Sequence, residues 1–185
     1  MGVVLALDLG TTLGFAVGQP GAVPHSGAVK LKKDKQSRNV SFGNLISWLN
    51  AQMIGAKPDI VVVEAPLALQ AFAKLGGQDV VQVTYGFHAI AAGLAQRHGI
   101  RFEEVHVGTV RKHFLGRSNL GDRESTKAAV VARCHLLGYM AKDRTSDNQG
   151  DALAVWDWAV ATLLRSPPKE LHLFGEKPAS KGVEW

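Results

Sequence analysis

A chain of 185 residues, 46% apolar and 20% charged, suits one compact domain with a full core. No apolar run is long enough to span a bilayer, no basic leader with a cleavage site opens the chain, and one cysteine, Cys134, excludes an internal disulfide and a CxxC zinc pattern. These features favour the cytoplasm, and the net charge of +5 suits a polyanionic partner such as nucleic acid.

Val3 to Leu7 is an unbroken apolar run, as expected of a central strand buried on both faces. Asp8 closes it, Gly10, Thr11, Thr12 and Gly14 turn the chain, and Phe15 to Val17 reads as the second strand of a hairpin. A carboxylate at the end of a buried strand is costly unless it meets a cation, a metal ion or water at a cleft mouth. Asp8 is therefore either a turn cap or a metal ligand. Ala22 to Leu31 reads as a third strand, and Pro24 and Lys30 place it at an edge. Phe42, Leu45, Ile46, Leu49 and Met53 recur at helical spacing over about 39–54, and Gly55 and Pro58 end that helix.

Asp59 to Val63 leads through I-V-V-V to a second strand-end acid, Glu64, before Ala65-Pro66. Two such acids suggest a shared site. Leu67 to Gly77 reads as a loop or short helix that carries Phe72. Val80, Val83, Phe87, Ala91 and Leu94 mark a long amphipathic helix over about 78–97, stopped by Gly99. Its additional apolar residues Val81, Ile90 and Ala95 lie beyond one stripe, which makes this helix the expected interface should the chain pair with a second copy. A further strand follows over 100–107.

The stretch from His106 to Lys127 is the most basic, with Arg111, Lys112, Arg117, Arg123 and Lys127 between glycines. It reads as flexible segments between short helical pieces, and either tracks phosphates or is a solvated loop. A helix over about 123–137 turns Val130, Cys134 and Leu137 inward. Ser146 and Gln149 have capping-box spacing, so the last helix begins at Asp147, with Ala152, Val155, Trp156, Ala159 and Leu163 as its apolar stripe. Asp151 lies three residues after Asn148 and four after Asp147, so all three can share a face. The expected organisation is one domain over 1–165 and a C-terminal tail over 166–185.

Strand-end Asp8, strand-end Glu64 and a late helical Asp151 with Asp147 or Asn148 cannot all stay ionised in one cleft without cations. Hard oxygen ligands without Cys or paired His point to Mg²⁺, with Mn²⁺ as a substitute. Two such ions can activate water and stabilise the leaving oxygen of a phosphodiester.

With A-L-D-L-G-T-T-L-G-F-A-V, V-V-V-E-A-P and D-N-Q-G-D-A-L-A in this order, the chain resembles RuvC-type Holliday junction resolvases of the ribonuclease H-like superfamily, particularly their phage and prophage members. The resemblance covers about 3–164. It implies an α/β fold with a mixed five-stranded sheet flanked by helices, a homodimer, and paired symmetric nicks across a branched DNA substrate. It also implies that Asp8, Glu64 and Asp151 are metal-binding acids, and that Arg111 and Arg123 lie along the junction backbone. Asn148 stands where the family carries Asp or His, and Asp147 beside it could supply the charge. Leu67 stands where the family carries an aromatic residue, for which Phe72 is a substitute.

D-L-G-T-T also resembles the phosphate-gripping hairpin of the actin, sugar-kinase and heat-shock ATPase superfamily. That reading requires a second such hairpin and a second lobe, and no second D-x-G hairpin is present. A DNA-binding module without catalysis is the third reading, which Asn148 makes conceivable.

Overall fold

The computed structural model describes residues 2–66, 77–118 and 121–164. Two strands, Val4–Asp8 (β1) and Ile60–Glu64 (β4), are buried at every residue except the terminal acid. They pair in parallel with Leu7 opposite Val63, a register that carries Asp8 and Glu64 to the same end of the sheet. Thr12–Gly18 (β2) folds back antiparallel to β1, His25–Lys30 (β3) pairs with β2 at one edge, and Arg101–Val105 (β5) runs parallel to β4 at the other. The result is a mixed five-stranded sheet in the order β3-β2-β1-β4-β5, as expected.

Side-chain alternation along the strands divides the core in two. Leu5, Leu7, Val61 and Val63 face one layer, covered by helices Arg38–Gly55 (α1) and Gly77–Arg97 (α2) through Leu45, Leu49, Phe87 and Ala91. Val4, Ala6, Ile60 and Val62 face the other, covered by Val107–Leu115 (α3), Arg123–Leu136 (α4) and Asp147–Leu163 (α5). Asp8 and Glu64 continue the second set, so both lean towards α5.

On that face β2 presents small residues opposite β1. Gly14, Ala16 and Gly18 stand opposite Asp8, Ala6 and Val4. A Cβ on Gly14 would overlap the backbone carbonyl of Asn148, which is why α5 can lie directly against the hairpin. Further along, the Trp156 indole N–H donates to the Gly18 carbonyl at 3.4 Å, and buried Gln149 donates from Nε2 to Ser26 Oγ at 2.9 Å. These contacts fix the pitch of α5 across β1, β2 and β3.

The basic stretch contains a short helical piece, as expected: in α3, Val110 and Phe114 give a buried i, i+4 pair and Gly116 ends the helix in a left-handed conformation (φ 78°). Two expectations are corrected. α5 buries a continuous run from Ala152 to Trp156 instead of one stripe, because the sheet covers one side and α3 and α4 the other. Ala95 of α2 is wholly buried within the chain and is not available to a partner, whereas Val80 and Tyr85 are exposed. Phe72 and the expected tail over 166–185 lie outside the described residues. Among the described residues no helix is long and apolar enough to cross a membrane.

Candidate active site

Three elements deliver one carboxylate each: β1 gives Asp8, β4 gives Glu64 and the first turns of α5 give Asp151. Ser146 caps α5, its hydroxyl accepting from the Gln149 N–H at 3.4 Å, so the helix begins at Asp147 as expected.

The electrostatics show that these acids share one environment. Burial pushes the Asp8 carboxyl up to about 7, and the charges of Asp151 and Glu64 push in the same direction. Burial likewise raises Glu64 to about 7, with Asp151 adding to it. Asp151 is raised by burial and by Asp147. Three cations oppose these shifts: Lys127 and Arg123 act on Asp8 and Asp151, while Arg111 acts on Glu64 and Asp151. The remaining repulsion is what a bound cation would relieve.

This donor set fits a hard divalent metal ion: half-buried carboxylate oxygens from three elements, with raised proton affinity and neighbours of like charge. As the side chains stand, no three His, Cys, Asp or Glu among the described residues close on one point as a ready ligand group. Asp147 is paired with the Lys127 ammonium at 2.7 Å. Asn148 is half-buried above Gly14 and can offer a neutral carbonyl oxygen.

Of the basic residues read from the sequence, Arg111, Arg123 and Lys127 lie within electrostatic reach of the acids. Lys112 borders an outer groove with His106, Thr109 and Trp158, and Arg117 is exposed beyond the end of α3. His113 is engaged away from the acids. Its Nε2 meets Asp157 at 2.8 Å, and Asp157 also accepts from the Tyr139 hydroxyl at 2.7 Å, a link that ties α3 to α5. Cys134 is a core residue, as expected, its thiol pushed up to about 12 by burial.

Sequence reasoning missed His88. This buried residue of α2 sets Nε2 2.9 Å from the Glu64 carbonyl oxygen and Nδ1 2.8 Å from that of Thr84, tying the end of β4 to the opposite layer. The available signal was a polar residue adjoining the buried Phe87–Ala91–Ala95 stripe.

A pH dependence follows. The folded values near 7 lie above the ordinary 3.8 and 4.5 of Asp and Glu, so between about pH 4 and 7 the folded state holds protons that the unfolded chain has lost. Stability contributed by these groups is therefore full below the unfolded values and is lost as pH rises to about 7. Thermal melts of metal-free protein should show this fall, and Glu64→Gln should make it shallower. An equally steep fall in Glu64→Gln would exclude Glu64 as a source.

No family model and no curated protein matches the chain. Solved structures do. RuvC of Thermus thermophilus matches at a TM-score of 0.61 and 20% identity, covering 83% of this chain and 90% of its own. The T. thermophilus protein in complex with a Holliday junction substrate matches at 0.62 and 18% identity, with 84% and 90% covered. The yeast mitochondrial Holliday junction resolvase matches at 0.51 and 13% identity, with 82% and 75% covered. The chain thus has the ribonuclease H-like fold of these proteins.

Proposed function

We propose that the protein is a Mg²⁺-dependent endonuclease that resolves four-way DNA junctions by paired nicks. The observation that carries this reading is the coupling of three half-buried carboxylates from β1, β4 and α5 beside three cations. Asp8, Glu64 and Asp151 would hold the metal, with Asn148 as a neutral ligand and Asp147 as an auxiliary one. Two bound ions would activate water and stabilise the leaving oxygen of a phosphodiester, and Mn²⁺ would serve at least as well as Mg²⁺. The protein's own part is to exclude bulk water from the acids and orient them by strand register and by the seat of α5.

The basic residues supply the substrate side of this reading. Arg111 and Arg123 flank the acids on α3 and α4 and would hold the scissile strand, with Lys112, Arg117 and Lys127 extending the basic surface. Arg111→Ala and Arg123→Ala should each weaken junction binding and lower the slope of log affinity against log salt by about one unit. Unchanged affinity and slope in both variants would return this surface to ordinary solvation.

Symmetric nicking of a two-fold junction requires two sites, so the reading includes a homodimer. The exposed part of α2 with Val80, Val81 and Tyr85 is the proposed interface; Ile90, expected there, packs inside the chain against the layer of α1 and α2. The deciding experiment is Mg²⁺-dependent cleavage of a four-way junction against linear duplex, with sedimentation of the protein alone and bound. Symmetric nicks by a dimer support the reading. Metal-independent inertness on every branched substrate, or a persistent monomer, would overturn it.

A further inference from the structure

Lys127 reaches from α4 to the first residue of α5, and its ammonium stands 2.7 Å from Asp147 Oδ2. The pair is not a loose surface contact: the side chains are 25% and 44% exposed. The same ammonium is the leading cation acting on both Asp8 and Asp151. Three carboxylates from β1 and α5 therefore share one positive charge supplied by the chain itself. Beside the pair lies an open groove of about 440 Å³, bordered by Glu124, Ala128, His135 and Thr145, into which a lysine side chain can swing.

We propose that Lys127 is a built-in counter-cation that competes with the metal for this site, so that Asp147 joins the ligand set only when Lys127 releases it. This rests on the metal-dependent reading above. In the free protein the ammonium partly neutralises the α5 side of the site and holds Asp147 away from Asp8 and Glu64. Release frees one carboxylate and one ammonium together, adding a ligand on the inner side and a phosphate-binding cation on the groove side. The metal affinity of the free protein is thereby set low, and substrate phosphate that draws Lys127 away raises it.

The test is Mn²⁺ binding to the full chain without DNA, followed by calorimetry and by the electron paramagnetic resonance of free Mn²⁺. Lys127→Met should bind Mn²⁺ about tenfold more tightly than wild type, as removal of a nearby like charge requires. Lys127→Arg, which keeps the charge, should stay close to wild type, and Lys127→Met with Asp147→Asn should lose most of the gain. Affinity that is unchanged or weaker in Lys127→Met, with a wild-type melting temperature, would overturn the proposal while leaving the metal-dependent reading intact. If wild type binds no Mn²⁺, or Asp8→Asn leaves binding unchanged, the metal-dependent reading itself fails, and this proposal with it.

Discussion

Asp8→Asn is expected to abolish Mg²⁺-dependent junction nicking, by at least about a thousandfold, while junction binding persists. The same substitution should keep or raise the melting temperature of the metal-free protein at pH 8. Asp8 ends a strand whose other residues are fully buried, and burial and like charges hold its carboxyl near 7. A neutral amide of the same shape removes that repulsion and leaves the Leu7–Val63 register untouched. Loss of cleavage with gain of stability would be the signature of an acid retained for chemistry. Full Mg²⁺-dependent cleavage by Asp8→Asn would sink the assignment, and a large loss of stability would make Asp8 a structural cap instead.

The second large effect is expected at Gly14. A Cβ there meets the main chain of Asn148, so the overlap cannot be relieved by rotating a side chain. Either α5 lifts or the hairpin bends. Gly14→Ala should therefore cost about 3 kcal/mol, at the upper end for overpacking. It should also lower cleavage by about a hundredfold, because Asn148 and Asp151 move with the helix. Gly93→Ala is the control: its added Cβ meets nothing, and it should stabilise α2 by about 1 kcal/mol. A Gly14→Ala variant that melts and cleaves like wild type would show that α5 does not need this close seat.

Much of the site was legible because each acid interrupts a pattern. Asp8 and Glu64 end runs of buried residues, and Ser146 announces the helix that carries Asp151. What brings them together was less legible. The parallel pairing of β1 with β4 joins residues 56 apart, and nothing within either run specifies that partner. The Lys127–Asp147 pair joins two helices whose approach depends on Gly150 packing against Val130 and Val131. Lys127 therefore read as one of several basic residues awaiting phosphate. In α3 the apolar spacing of Val110 and Phe114 was present, but glycines and charge masked the bounds of the helix. The small residues Gly14, Ala16 and Gly18 were visible as turn or strand residues, yet their role as a seat emerges only once α5 lies on them.

The seating of α5 also orders events during synthesis. The layer of α1 and α2 packs on Leu5, Leu7, Val61 and Val63, all supplied by the first 97 residues, so that half can condense early. The opposite face of the sheet waits for α5, which closes contacts to β1 and β2 across more than 120 residues of sequence. Contacts of such separation form slowly, after the local ones. Asp8 and Glu64 thus stand at the sheet end without Asp151 until α5 arrives. Assembly of the acid centre therefore coincides with the docking of α5, and under the proposed nuclease reading a nascent chain would not cut before that step.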